Sequence, residues 1–146
     1  MRSVHAEASI ASEPNDILQA FMEQAHLQGW WGVSRSLVEP KPGGVYTLAW
    51  EISDTGIKYV SSGTIEKIVP HECLRIHKMV YLNPGCEILG PMELEVQVSR
   101  SDESHSRVNV VQSGYQYGGD WDWYHDAVVQ AWPYALNLLK SYLEKH

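Results

Sequence analysis

The stretch Trp121 to His146, WDWYHDAVVQAWPYALNLLKSYLEKH, decides the fold. At about 100° per residue, Trp121, Tyr124, Ala127, Val128, Ala131, Trp132, Ala135, Leu136, Leu138, Leu139, Tyr142 and Leu143 share one broad face. Asp122, Asp126, Gln130, Asn137, Lys140 and Glu144 fall opposite. The pattern predicts a long amphipathic helix, with Asp120 and Asp122 at its positive end and Lys140 and Lys145 at its negative end. Pro133 removes a backbone donor and is expected to kink the helix from its polar, convex side. So wide an apolar face needs a surface to close over, and the chain upstream has to supply it.

Most of that upstream chain alternates with the period of half-buried strands. Val4, Ala6, Ala8 and Ile10 share one side of a first strand. The period then lengthens. Ser12-Glu13-Pro14 reads as a helix start, and Ile17, Leu18, Phe21, Met22, Ala25 and Leu27 continue a helical stripe to Gly29, ahead of Trp30-Trp31-Gly32. A break near Glu23 divides that stripe into two short helices if it occurs. Ser36 to Glu39 is a short strand candidate, closed by Pro40-Lys41-Pro42-Gly43-Gly44. Tyr46, Leu48, Trp50 and Ile52 put their bulk on one face of the next strand. After the turn Ser53-Asp54-Thr55-Gly56, Lys58 to Val69 is a strand in which Gly63 marks a bulge or a close approach.

Leu74, Ile76 and Val80 pattern another strand, with Lys78 in the apolar phase. Met92, Leu94, Val96 and Val98 alternate with acids and amides, and Val108, Val110 and Gln112 continue an inner phase until Ser113-Gly114 breaks it. The order is strand, one or two short helices, about six strands at hairpin spacing, and a long helix. This is an α+β chain, expected to form one domain over residues 1–146, with an antiparallel sheet curved around the C-terminal helix.

Composition narrows the function classes. A chain of 146 residues buries roughly two-thirds of its unfolded surface, enough for a real core. Its formal charge of -7 opposes nucleic-acid backbones and anionic membranes. Neither a signal peptide nor a membrane span is legible, so a cytoplasmic protein is expected, with Cys73 and Cys86 as reduced thiols. The 6 Trp and 8 Tyr against a single Phe favour half-wet surfaces such as cavity walls, because indoles and phenols carry a polar handle.

Several pieces together resemble the activator of heat-shock protein 90 ATPase homologue-like family, within the START-like (SRPBCC, Bet v 1-like) superfamily. They are Ile10-Ala11-Ser12-Glu13-Pro14, Trp30-Trp31-Gly32, Pro42-Gly43-Gly44, Gly63 to Pro70 (GTIEKIVP), Ser113-Gly114-Tyr115, and Trp132 with Leu139 and Tyr142-Leu143. The likeness runs along essentially the whole chain. It implies a helix-grip fold, in which a curved sheet of about seven strands grips the C-terminal helix around a largely apolar cavity. The family often carries His where Gln112 stands and an aromatic where Lys78 stands, and it sets no universal catalytic residue.

The expected function is binding of an apolar or aromatic small molecule, lipid-like or polyketide-like, between sheet and helix. Tyr46, Leu48, Trp50, Ile65, Ile76, Met92, Leu94, Val96, Val110, Gln112, Trp121, Tyr124, Val128 and Trp132 are the expected lining. Gln112 and Lys78 fall in the buried phase; each is either satisfied internally or set against a ligand's polar end. Leu136, Leu139 and Leu143 are expected to anchor the helix on the sheet. No cofactor, metal or catalytic residue is expected. Asp120, Asp122, His125 and Asp126 lie too far round the helix to converge on an ion, and read as helix-end chemistry. Two rival readings are an interaction module for a chaperone, as the resembled family's name suggests, and a cyclase or aromatase in which Tyr46 or Tyr124 polarises a carbonyl. A homodimer is a further expectation, and the strand from Met92 to Val98 reads equally as an interface edge.

Overall fold

A computed structural model describes residues 2–56 and 58–145; His146, which closes the stretch quoted above, lies outside them. Seven strands form one antiparallel sheet: β1 (Arg2–Ile10), β2 (Val33–Val38), β3 (Val45–Trp50), β4 (Tyr59–Val69), β5 (Cys73–Leu82), β6 (Leu89–Arg100) and β7 (Ser106–Tyr115), in the order β1-β7-β6-β5-β4-β3-β2. Helices α1 (Pro14–Ala20) and α2 (Gln24–Trp31) carry the chain from one edge of the sheet to the other, and α3 (Asp120–Glu144) packs along its inner face. This is the helix-grip architecture, with two short helices after the first strand.

The alternation read from sequence sets the inner face. Val4, Val108, Val110, Gln112, Met92, Leu94, Val96, Val98, Leu74 and Ile76 are buried, joined by Ile17, Leu18 and Phe21 from α1 and its end and by Leu136 and Leu139 from α3. Leu143 packs half-buried against the same core, so all three expected anchors of α3 meet the core. Helix α3 runs through Pro133, which is exposed, so the backbone bond the ring forbids is lost on the solvent side. Leu138 and Ala127, expected on the buried face, are exposed.

Four local expectations are corrected. The helical stripe does not end at Gly29: α2 continues to Trp31 and stops at Gly32, whose φ of 70° is the left-handed conformation that glycine adopts at helix ends. Ala25, placed on the stripe, is exposed because the break at 21–23 resets the helical phase. Strand β7 passes through Ser113-Gly114 to Tyr115, with Gly114 at φ 99° against the backbone of Pro91 and Met92. Strand β6 is no edge, since Leu94 pairs with Ile76 of β5 on one side and Gln112 of β7 on the other, leaving no free backbone for a partner.

The most consequential correction lies in β5. Ser62 pairs with Val80 but Thr64 pairs with His77, so β5 carries an extra residue at the bulge opposite Gly63. Lys78 sits in that bulge at φ 53° and is exposed. The extra residue shifts the phase, so Met79 and Tyr81 turn inward in place of Val80. Lys78 therefore does not face the interior. The close approach expected at Gly63 is present: a Cβ there would lie 2.8 Å from Ile76 Cγ2.

Candidate functional site

Between β3, β4 and β5 on one side and the middle of α3 on the other lies a cavity of about 390 Å³. It opens to solvent beside Lys58, Trp123, Ala127 and Ala131, all exposed. Of the residues expected to line it, Tyr46, Leu48, Trp50, Leu94, Gln112, Tyr124, Val128 and Trp132 do so. Ile65, Ile76, Met92, Val96, Val110 and Trp121 do not; they belong to the buried core beside it. Trp31, Lys58, Tyr59, Ser61, Met79, Tyr81, Asn83, Trp123, Ala127, Ala131 and Ala135 complete the lining.

Six of these side chains form a continuous aromatic hoop. Trp132 meets Trp31 with ring centroids 5.3 Å apart, Trp31 meets Trp50 edge-on at 5.3 Å, Trp50 meets Tyr59 at 5.4 Å and Tyr59 meets Tyr81 at 6.4 Å. Tyr81 then stacks on Tyr124 at 4.3 Å. Gln112 closes the circle: its Oε1 accepts from Trp132 Nε1 at 2.9 Å, and its Nε2 donates to the Tyr124 hydroxyl at 3.2 Å. At 3% exposure the amide is thus satisfied by protein on both ends, the internal hydrogen-bonding alternative of the two its sequence position allowed.

Backbone geometry presents the ring. Trp50 and Tyr59 are directly paired across β3 and β4, and Ser61 pairs with Tyr81 across β4 and β5, which puts these side chains on one face. Trp31 stacks on Trp30 at 4.7 Å and accepts, through its backbone carbonyl, the Trp50 indole N–H at 3.1 Å. The Tyr46 hydroxyl donates to the Phe21 carbonyl at 2.7 Å, tying the break between the short helices to the cavity wall. Burial pushes the phenols of Tyr46 and Tyr124 far above their usual range, and burial with the Glu51 carboxylate raises that of Tyr59. All three therefore stay neutral at physiological pH. No described residue of the lining is a carboxylate, an imidazole or a thiol.

The acids at the start of α3 hold neighbouring backbone and charge. The Asp122 carboxylate accepts from the Gly118 N–H at 3.1 Å and pairs with Arg2 at 2.8 Å, and Asp120 accepts from the Glu87 N–H at 3.1 Å.

Residues 11–144 match the sequence model of the family described as Activator of Hsp90 ATPase homolog 1-like protein. The chain belongs to this family. The resemblance read from Trp30-Trp31-Gly32, Pro42-Gly43-Gly44 and the strand through Gly63 is thereby borne out. Among solved structures, the chain is similar to the Aha1 dimer from Colwellia psychrerythraea, at 18% identity and TM-score 0.73 over 99% of this chain and 97% of that one. It is similar also to protein CV1439 from Chromobacterium violaceum, at 17% identity and TM-score 0.74 over 99% of both chains. Protein MLL2253 from Mesorhizobium loti matches at 16% identity and TM-score 0.75 over 99% of this chain and 98% of that one. At these identities the likeness is one of fold. Comparison with curated proteins finds no match. No helix among the described residues is long and apolar enough to cross a membrane.

Proposed function

We propose that this protein binds an apolar, aromatic small molecule in the cavity between the sheet and α3. The observation that carries the reading is the hoop of six aromatic rings closed by Gln112 around an accessible space. Rings held at their edges by hydrogen bonds present apolar faces to the space before any ligand arrives, which is the pattern of a preformed site. At about 390 Å³ the space lies near the lower end of the ~300–1,000 Å³ usual for ligand pockets. It suits a compact planar molecule of roughly two or three rings better than a long-chain lipid.

Native mass spectrometry of freshly purified protein tests this directly, a retained small mass being the expected result. Titration with planar aromatics should quench tryptophan fluorescence, since Trp31, Trp50 and Trp132 line the space. A ligand at ~100 times its Kd adds about 2.7 kcal/mol of stability, or about 5–10 °C in Tm at this chain length. If flavonoids, polyketides, sterols and fatty acids all leave both fluorescence and Tm unchanged, the reading fails.

A second reading, regulation of the Hsp90 ATPase, draws on the family description and on Trp123 and Tyr134, which α3 exposes at 51% and 67%. An ATPase rate unaltered by saturating amounts of this protein removes it. For a cyclase or aromatase the lining offers no carboxylate or imidazole to move a proton, leaving a phenol such as Tyr124 to polarise a carbonyl.

A further inference from the structure

Only one orientation of the Gln112 amide fits its surroundings. The Trp132 indole nitrogen can donate but never accept, so the amide atom 2.9 Å from it is the oxygen. The nitrogen then faces Tyr124 at 3.2 Å, with Met92 Sδ at 3.6 Å. An amide nitrogen also only donates, so the Tyr124 oxygen is the acceptor of that bond. The phenolic proton of Tyr124 is left over. It has no acceptor among the described residues, whereas the proton of Tyr46 is spent on the Phe21 carbonyl; the buried Tyr81, stacked on Tyr124, is likewise an acceptor, from Asn83 Nδ2 at 3.3 Å. Tyr124 is 7% exposed and lines the cavity, and its hydroxyl meets Gln112, which lines the cavity as well.

We propose that the Tyr124 hydroxyl is a fixed hydrogen-bond donor of this cavity, and that the ligand is an aromatic compound carrying an acceptor oxygen, of the aryl ketone or quinone class, against it. This rests on the cavity-binding reading above and narrows it. With its oxygen engaged by Gln112 and its ring stacked on Tyr81, the phenol is pinned in position and its donor is organised before the ligand arrives. A ligand with an acceptor oxygen pairs this donor, whereas a pure hydrocarbon leaves it buried and unpaired. Sites built this way discriminate strongly between a molecule that completes the bond and its analogue that lacks the oxygen. Burial raises the phenol's pKa, which keeps the proton in place at working pH.

The test uses 9-fluorenone and fluorene, planar tricycles that differ by one carbonyl, titrated by tryptophan quenching and calorimetry into the wild-type protein and Tyr124→Phe. The ratio of fluorenone to fluorene affinity is expected to fall about tenfold on removing the hydroxyl. Comparing ratios cancels the difference in hydration between the probes. The infrared carbonyl stretch of bound fluorenone should be lowered in the wild-type protein and return toward its apolar-solvent position in Tyr124→Phe. An unchanged ratio, or a wild-type stretch already at the apolar-solvent position, overturns the assignment while leaving cavity binding intact. If neither probe binds the wild-type protein, this inference fails, while the wider ligand panel decides the binding reading. Should Tyr124→Phe not fold, the wild-type infrared measurement alone decides.

Discussion

Replacing Gln112 by Met separates a hydrogen-bonded ring from one held by packing alone. The side chains are close in volume, so the change leaves no large cavity and adds no bulk. It removes the acceptor of the Trp132 indole N–H and the donor to the Tyr124 hydroxyl. Trp132 is 5% exposed, so its N–H has no ready water and incurs the cost of a buried unpaired donor, ~1–3 kcal/mol. The Tyr124 hydroxyl borders the cavity and can turn to water, so it adds little. Burying a thioether in place of an amide returns part of the loss, for a net destabilisation of about 1–2 kcal/mol. At ~2–4 °C per kcal/mol, Tm should fall by about 2–8 °C, with a lower urea midpoint and an unchanged m-value. Adding Trp132→Phe to Gln112→Met removes the orphaned donor as well. The double variant should therefore be less destabilised than the sum of the single ones, by about 0.5–3 kcal/mol. Strict additivity, or a Gln112→Met protein as stable as wild type, would refute the argument that these two bonds hold the hoop closed.

Leu139→Ala removes a fully buried side chain at the anchored end of α3, and urea denaturation should show a loss of about 2–5 kcal/mol, with fluorenone affinity in the folded protein little changed. Ala131→Leu adds bulk at the cavity's open side; probe affinity measured by quenching should fall at least about tenfold while stability stays within ~0.5 kcal/mol, as for other surface changes. The Asp122 carboxyl is held below its usual range first by the Gly118 N–H and then by Arg2. A depressed native pKa contributes stability that is complete above the unfolded value of ~3.9 and is lost as pH falls through the native value. Melting curves of Asp122→Asn should therefore lie below wild type at neutral pH and converge with it in strong acid; a constant offset at every pH sinks that assignment.

The strands and the closing helix were legible because one face of each is buried, and burial writes its period into the residues. What the alternation could not reveal was where it slips. Leu74, Ile76 and Val80 set a phase that the bulge at Lys78 shifts by one residue, bringing Tyr81 inward and carrying Lys78 out. The signal lay in the facing strand, since Gly63 marks the place where β5 comes too close for a side chain. Trp31 was missed for a related reason: Gly29 reads as a helix end, yet the helix continues two residues to the glycine that can take a left-handed conformation. Gln112 was legible as a buried polar residue, but not its partners, which stand 12 and 20 positions away on α3. Ile65, Ile76, Met92, Val96 and Val110 share the inner face with the lining, and periodicity cannot tell a position under α3's open middle from one beneath its packed end.

That difference between middle and end explains why a cavity survives in a sheet that grips a helix. Helix α3 is fastened at both ends. Near its start, Asp122 holds Arg2 of β1 and Asp120 holds the Glu87 backbone. Near its end, Leu136 and Leu139 enter the core, Lys140 reaches the Ser9 carbonyl at 2.9 Å and Glu144 accepts the Ala11 N–H at 3.0 Å. Between these fastenings the helix lines the cavity with Ala127 and Ala131 at its open side and the buried Ala135, and β4 contributes Ser61. Small residues on both surfaces leave a gap that larger ones would close, and the rings around it cannot relax inward because neighbouring rings, Gln112, Phe21 and Trp31 hold their edges. A core built only for stability would collapse onto such a void, since unfilled apolar space costs ~24 cal/mol per Å³. Here the polar handles of Trp and Tyr resist that collapse, so the residue bias that distinguishes this sequence is the same feature that keeps its cavity open.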